Sequence, residues 1–334
     1  MGKSKLTLGE VYRLSRDALQ AGGADETGAA CIARATREAE ADGLPNVGLS
    51  HLLDYLEALK SGQLNGRAEP LVQREGPACF KVDGDAGSAH LAFGEVFADL
   101  ADAAHENGVA ALAVRNVFTC GVVGFFVEFL ARRGLVAQAC ANAPATVAPW
   151  GGSLPFFGTN PVAFAAPLGR EMPLVVDQAT SATAFVNIRQ AAREGRPIRA
   201  GWGLDARGRP TTDASAALEG TVAPAGEHKG TNMALMVDAL AAGLGGAGWS
   251  YQSPGTGAAG EPLNVGLFIT AFEPRRFAGE GFERRLAEWL EVYKRDFGGR
   301  VPGEARWENR RRAVLYGVEV DDGVLRAVKG YLSA

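Results

Sequence analysis

Over its first sixty residues the chain spaces its apolar side chains for helices, and from about Val109 it changes to short buried runs broken by turns. That change of period restricts the fold to a mixed α/β type, because each periodicity buries a different kind of face. Thr7 and Glu10 form a capping box ahead of Val11, Leu14, Ala18 and Leu19, and Gly22-Gly23 ends the segment. Asp25 predicts a second helix through Glu40, with Gly43 after it, and a third helix spans about 50–60 on Leu52, Leu53, Leu56 and Leu59. Asn65-Gly66 and Pro70 mark a turn, Phe80-Lys81-Val82 a short strand, and a longer helix over about 89–106 stops at Asn107-Gly108.

Beyond that point strands are expected at about 109–114, 135–141, 162–166, 174–176 and 265–272. Helices are expected at about 122–132, 181–193 and 231–243, then at 282–297, around 308–316, and from Asp321-Asp322 through Tyr331. The segment from Ser253 to Glu261 reads as an exposed loop. At 334 residues the chain is longer than most single domains, so two lobes are expected. One comprises residues 1–115 with 275–334 and is mainly helical; the other comprises 116–274 around a mainly buried mixed sheet.

Composition excludes several function classes. With 47% hydrophobic and 22% charged residues and a net charge of -4, nothing points to nucleic acid or an anionic membrane as partner. No apolar run approaches the ~18 residues of a membrane span, and no signal-peptide pattern opens the chain. Cys31, Cys79, Cys120 and Cys140 are scattered, which suits reduced thiols in a cytoplasm better than disulfides or a metal site. A cytoplasmic protein with no bound metal is expected.

Gly243-Leu244-Gly245-Gly246-Ala247-Gly248 matches the GxGxxG pattern, but helical periodicity precedes it and loop follows. A dinucleotide fingerprint needs a strand running in and a helix running out, so these glycines read as a helix end. Phosphate can instead meet backbone N–H groups wherever turns converge. Trp150-Gly151-Gly152, Gly158-Thr159-Asn160-Pro161, Asp177-Gln178-Ala179-Thr180-Ser181 and Lys229-Gly230 are turns of that kind. By spacing alone such turns serve more often as caps than as sites.

Taken together and in order, the motifs carry more. Ala41-Asp42-Gly43-Leu44-Pro45, Ala148-Pro149-Trp150-Gly151-Gly152, Gly158-Thr159-Asn160-Pro161 and Asp177-Gln178-Ala179-Thr180-Ser181 are followed by Gly201-Trp202-Gly203-Leu204-Asp205 and Pro210-Thr211-Thr212-Asp213. Lys229-Gly230, Asn264-Val265-Gly266 and Pro302-Gly303-Glu304 complete the set. The chain resembles the malate/L-lactate dehydrogenase-like oxidoreductases, and within them the reductases of Δ1-piperideine-2-carboxylate and Δ1-pyrroline-2-carboxylate. The resemblance implies an NAD(P)-dependent enzyme, with NADPH preferred over NADH, whose cofactor lobe at 116–274 is not a Rossmann fold. It also implies a homodimer acting on a small molecule held between lobes. The residues it places at the cofactor are Gly121, Thr159, Asn160, Asp177, Ala179, Thr180, Ser181, Lys229, Gly230, Pro302, Gly303 and Glu304, with Lys229 pairing a phosphate.

The catalytic positions depart from that pattern. Where such proteins read Leu-Pro-Ser-His-Gly and then Arg after two residues, this chain reads Leu44-Pro45-Asn46-Val47-Gly48 and then His51. Their Asn-Ser-His-His motif is matched by Asn116-Val117-Phe118-Thr119, so both imidazoles are lost there too. Valine and phenylalanine have no titratable proton. Three accounts remain open: a protonated cyclic imine that needs no strong acid, a 2-oxo acid dehydrogenase in which His51 is the proton donor, and a nucleotide-binding homologue without turnover. Asn46, His51 and Asp177 are the candidate catalytic residues. Reduction of a C=N bond in a small cyclic imine or imino acid is the leading expectation, since a 2-oxo acid needs its developing alkoxide stabilised.

Overall fold

A computed structural model describes residues 2–169, 172–256 and 260–333. Strand β1 (Lys3–Leu6) leads into α1 (Leu8–Ala21), whose Thr7–Glu10 capping box forms as expected, and α2 (Glu26–Ala41) follows under the Asp25 cap. A 3₁₀ turn at Pro45–Val47 precedes α3 (Leu49–Ser61), and the hairpin β2 (Leu71–Gly76) and β3 (Cys79–Asp83) comes next. Then follow α4 (Ala89–Asn107), β4 (Val109–Val117), α5 (Gly124–Ala131), β5 (Val136–Ala141), β6 (Val162–Ala166) and β7 (Leu174–Gln178). Helix α6 (Phe185–Arg193), β8 (Gly203–Leu204), β9 (Pro210–Thr211), α7 (Ala214–Leu218) and β10 (Thr221–Val222) form a small satellite with its own core around Ile188, Ile198, Ala217 and Val222. Helix α8 (His228–Asp238) runs into a π-helical turn, Ala239–Leu244. The chain ends with β11 (Val265–Phe272), α9 (Pro274–Ala278), α10 (Phe282–Arg295), α11 (Glu304–Tyr316), β12 (Val318–Asp321) and α12 (Asp322–Gly330).

One seven-stranded sheet, ordered β2-β3-β4-β11-β5-β6-β7, organises the molecule. Only β3 and β4 pair parallel; every other neighbouring pair is antiparallel. Strand β11 arrives late in sequence yet lies at the centre, with Ile269 opposite Leu112 on one side and Ala139 on the other. Side chains alternate across the sheet as the pleat requires. Ala137, Ala139, Leu267 and Ile269 join the main core with Phe93, Leu100, Phe126 and Leu130 of α4 and α5. Each fully buried Leu or Phe there is worth about 1.5–3 kcal/mol of transfer free energy. Cys140, Phe164 and Phe268 line the opposite face, where Met233, Met236 and Leu240 cover them in part.

Several expectations need correction. The segment after Pro70 is not all turn: β2 is an edge strand whose mostly exposed residues lack apolar alternation, which hid it. Strand β1 pairs antiparallel with β12, and both are largely polar. The helix expected from residue 181 begins at Phe185, because residues 181–182 pair instead with the strand-like segment at 223–224. In the expected loop 253–261, residues 257–259 lie outside the described residues; Gln63 Nε2 ties down its flanks by donating to the Gly255 and Glu261 carbonyls. The GxGxxG match falls on the π-helical turn and the bend after it. Among the described residues no helix is long and apolar enough to cross a membrane.

Candidate active site

The turn that replaces the expected catalytic pair is anchored from three directions. Helix α2 ends at Asp42, and Gly43 adopts φ 75°, the left-handed conformation a glycine tolerates. From α11, Asn309 Nδ2 donates to the Asp42 carbonyl at 2.9 Å, and Arg310 bridges the carboxylates of Asp42 and Glu128. Burial pushes Asp42 up to about 6 against the pull of Arg310. Glu128 is also pushed up by burial, but Arg310 and Arg132 draw it below the usual carboxylate range. Helix α3 has no side-chain cap of its own; Glu40 of α2 accepts from the Leu49 N–H at 2.7 Å. Gly48 leaves room for that reach, since a Cβ there would lie 2.3 Å from Glu40 Oε1.

Asn46 therefore points across to α6, its Nδ2 3.4 Å from Asn187 Oδ1, while Asn187 Nδ2 donates to Thr183 Oγ1 at 3.0 Å. Val47 lines a narrow cleft, with about 20 Å³ of water-accessible space, together with His51, Tyr55, His90, Gly121 and Arg306. His51 Nδ1 lies 2.7 Å from Asp54 Oδ2, which fixes the ring's orientation. Burial raises Asp54, yet its hydrogen bond to His51 and the charges of His51, Arg189 and Arg193 bring it below its ordinary value. The His51 ring meets Tyr55 edge-on at 4.9 Å, and Tyr55 packs on Phe118. Phe118, where an imidazole was expected, is thus a wall of the core and not a working group.

His90 takes the position of greatest chemical interest. Its ring stacks on Phe126 and meets Phe125 edge-on, and burial holds it neutral, with its pKa depressed to about 3 and the His51 charge adding to the effect. Its Nδ1 and the Tyr55 hydroxyl are buried without a hydrogen-bond partner. Burial also drives the Tyr55 phenol far above its usual value, so it stays protonated.

Asp177 sits at the end of β7 against the first residue of α5. Burial raises it, opposed by Arg306, whose guanidinium lies 3.3 Å away, and by the Gly124 N–H. The Pro302-Gly303-Glu304 turn seats the start of α11 on this strand: Gly303 has φ 89°, and a Cβ there would be 3.1 Å from the Val175 carbonyl. Glu304 pairs with Lys294 at 2.7 Å.

Three of the motif turns meet at one place. The Thr180 N–H and hydroxyl both donate to the Thr159 carbonyl, and the Thr180 carbonyl accepts from Ala225 N–H. Gly230 packs so tightly there that a Cβ would lie 2.4 Å from the Ala225 carbonyl and 2.7 Å from that of Thr180. Ser181 is turned inward, its hydroxyl donating to the Thr183 carbonyl, and Ala179 lies on the turn before it. Lys229 stands exposed in the first turn of α8, whose N-cap Glu227 makes no side-chain cap. Asn160 behaves differently: fully buried at φ 39°, it donates to the Ala234 carbonyl and lies 3.3 Å from Ser250 Oγ, so its amide is committed to the interior. Gly121 is apart from these turns, in the cleft beside His90 and Tyr55.

The structure thus joins Asn46 to α6 through Asn187, and Asp54, the partner of His51, feels the charges of Arg189 and Arg193 on the same helix. Arg306, Tyr55 and His90 emerge only in the fold. Tyr55 follows His51 by one helical turn and was within reach of sequence reasoning. His90 and Arg306 carry no local signal, since one reads as the start of a core helix and the other as a solvated helix charge.

This sheet with its cleft at the ends of α2, α3 and α5 defines a class. The model of the malate/L-lactate dehydrogenase family matches residues 6–329, and the chain belongs to that family. Its relatives include the (2R)-3-sulfolactate dehydrogenase (NADP(+)) of Chromohalobacter salexigens, 38% identical over 98% of this chain and 97% of that one. The Δ1-pyrroline-2-carboxylate reductase of Pseudomonas fluorescens is 37% identical over 98% of both. The crystal structure of Δ1-piperideine-2-carboxylate reductase from Pseudomonas syringae superposes with a TM-score of 0.93 at 34% identity, covering 98% of this chain and 99% of that one. The protein is an oxidoreductase of this family.

Proposed function

We propose that the protein is an NAD(P)H-dependent reductase of the C=N bond in a small cyclic imino acid, with NADPH preferred. The observation that carries this reading is the character of the cleft: Val47 stands at the turn, apolar walls come from Ile32 and Phe125, and Arg306 supplies a cation. Arg310 is occupied by two carboxylates, whereas Arg306 holds only one oxygen of Asp177, at 3.3 Å from each of two nitrogens. A guanidinium with donors to spare suits a substrate carboxylate. A protonated ring nitrogen brings its own proton, so a cleft without an acid at Val47 is sufficient.

The converging turns fit a dinucleotide. The uncapped start of α8, exposed Lys229 and the close approach at Gly230 suit a phosphate, and the Thr159–Thr180 turn and Asp177 lie along the same edge. When bound, NAD(P)H would supply hydride to the imine carbon. In this reading Lys229 pairs phosphate, Asn46 and Asn187 bridge the two sides of the cleft, and Asp177 orients Arg306. Pro302 and Gly303 seat α11 against the cofactor edge, with Glu304 at its start. The cofactor segment 116–274 would be a non-Rossmann unit, in keeping with its antiparallel strands, and β4 crosses into it from the segment 1–115. Exposed Met233, Leu235 and Met236 beside the sheet support a homodimer.

Purified protein should consume NADPH, read at 340 nm, with Δ1-pyrroline-2-carboxylate or Δ1-piperideine-2-carboxylate, and more slowly with NADH. Turnover of pyruvate or oxaloacetate with none of the imines would refute the proposal. The second reading, a 2-oxo acid/2-hydroxy acid dehydrogenase, is favoured by the His51–Asp54 pair and by the sulfolactate-oxidising relative. Under it, His51→Ala abolishes oxo-acid reduction; under the first, imine reduction survives that change.

A further inference from the structure

Beside Gly121 two residues lining the cleft each carry a buried polar atom that nothing among the described residues satisfies. The Tyr55 hydroxyl and His90 Nδ1 are both closed off from bulk solvent, with their residues only 3% and 5% exposed. A buried polar atom without a partner costs about 1–3 kcal/mol, and two beside one cleft is an unusual concentration. The Tyr55 hydroxyl and the His90 ring share a common focus. A Cβ placed on Gly121 would lie 3.7 Å from both the Tyr55 hydroxyl and His90 Nε2 and 3.4 Å from His90 Cε1, so the imidazole turns its Cε1–Nε2 edge to this point while the unpartnered Nδ1 lies farther off. Gly121 itself is held at φ 58°, so this focus is kept free of any side chain by a conformation that favours glycine. His51 closes one side through its edge contact with Tyr55, and the Phe125 and Phe126 rings close the other.

We propose that Tyr55 and His90 together recognise the ring nitrogen of the substrate and so select a C=N–H group over a C=O group. This assignment rests on the imino-acid reading above and deepens it. A phenol oxygen accepts a hydrogen bond in any rotamer, and a neutral imidazole nitrogen accepts in one of its two tautomers. A protonated imine nitrogen is a donor and finds two acceptors, neither of which carries a positive charge to repel it. A 2-oxo acid presents only acceptor oxygens at the same place; the Tyr55 O–H can donate to such an oxygen, but the imidazole can do so only by changing to its other tautomer. Binding the N–H keeps the proton on nitrogen, the state in which the neighbouring carbon accepts hydride, and the product amine retains that hydrogen. Arg306, lining the same cleft, remains for the carboxylate. Tyr55 and His90 would touch the substrate but donate no proton in the reaction.

Tyr55→Phe removes one oxygen and keeps the ring that packs between His51 and Phe118, and His90→Gln offers a second variant should the first alter folding. Two readouts are compared: kcat/KM for Δ1-pyrroline-2-carboxylate and pyruvate with NADPH, and the dissociation constant for pyrrole-2-carboxylate, a flat ring acid with an N–H that cannot be turned over. Each variant should weaken the probe and lower imine kcat/KM roughly tenfold or more, the worth of a hydrogen bond to a charged group. The unfolding midpoint of Tyr55→Phe should hold or rise, because an orphaned hydroxyl has been removed. Folded variants with unchanged probe affinity and an unchanged imine-to-pyruvate ratio overturn the assignment while the imino-acid reading stands. A wild-type protein that neither binds the probe nor reduces the imines overturns both.

Discussion

The turns around Thr159, Thr180 and Gly230 are knitted from backbone groups, whereas the cleft around His51, Tyr55 and His90 is assembled from side chains. The two regions tolerate sequence change differently. A backbone-built turn needs only that the chain pass in the right conformation, with glycine where a Cβ would collide, so its motif stays readable. A side-chain cleft can be rebuilt by delivering the same groups from other elements. Here Val47 and Phe118 stand where imidazoles were expected, while His51 and His90 bring imidazoles to the cleft from α3 and α4.

The sharpest way to break this contrast is to remove the cation that anchors the cleft's turn. Arg310→Met leaves Asp42 and Glu128 buried without it and should cost about 3–5 kcal/mol in urea unfolding. Adding Asp42→Asn and Glu128→Gln should return much of that stability; no recovery would show that Arg310 acts by packing alone. On the backbone side, Gly230→Ala forces a Cβ against two carbonyls and should cost up to about 3 kcal/mol. It should also weaken NADPH binding, measured by quenching of tryptophan fluorescence, and unchanged binding would detach that turn from the cofactor.

A smaller effect comes from protons. His90 is neutral when folded down to about 3, against an ordinary value of 6.5, so between those values the unfolded chain binds the extra proton. Stability attributable to His90 is therefore complete above pH 6.5 and is lost progressively below it, at up to about 1.4 kcal/mol per pH unit. Relative to His90→Gln, the wild type should lose about 1.5 kcal/mol between pH 6.5 and 5; parallel profiles would mean that His90 is protonated in place. Smallest of all, Arg306→Lys keeps the charge but loses the fork. It should raise KM for a carboxylate-bearing imine about tenfold with kcat nearly unchanged, a shift of about 1.4 kcal/mol. Equal KM values would remove Arg306 from the substrate.

Much of the architecture was legible in advance. The Thr7–Glu10 box, the Asp25 and Asp321 caps and the glycine stop at Gly108 place four helix ends, because capping is a local matter of orphaned N–H and C=O groups. The apolar runs at 162–166 and 265–272 match β6 and β11. Strands β1, β2 and β12 escaped notice because each is an exposed, polar strand whose stability comes from pairing and not from a buried face. In the candidate site, the turns at Thr159, Thr180 and Gly230 were visible as motifs, and His51 as a neighbour of the altered pair.

What the sequence determined by itself was local: which segments can be helix or strand, where glycine and proline force turns, and that neither Val47 nor Phe118 can donate a proton. Only the tertiary structure decided that β11 enters the middle of the sheet, that α11 carries Arg306 and Arg310 back to the end of α2, and that His90 lies beside Tyr55. Those outcomes depend on pairing between residues far apart in sequence, where hydrogen bonding and apolar burial select one arrangement among many that the local pattern allows equally. The missing acid at Val47 is thus a property of the sequence, and the neutral polar pair that faces the cleft in its stead is a property of the fold.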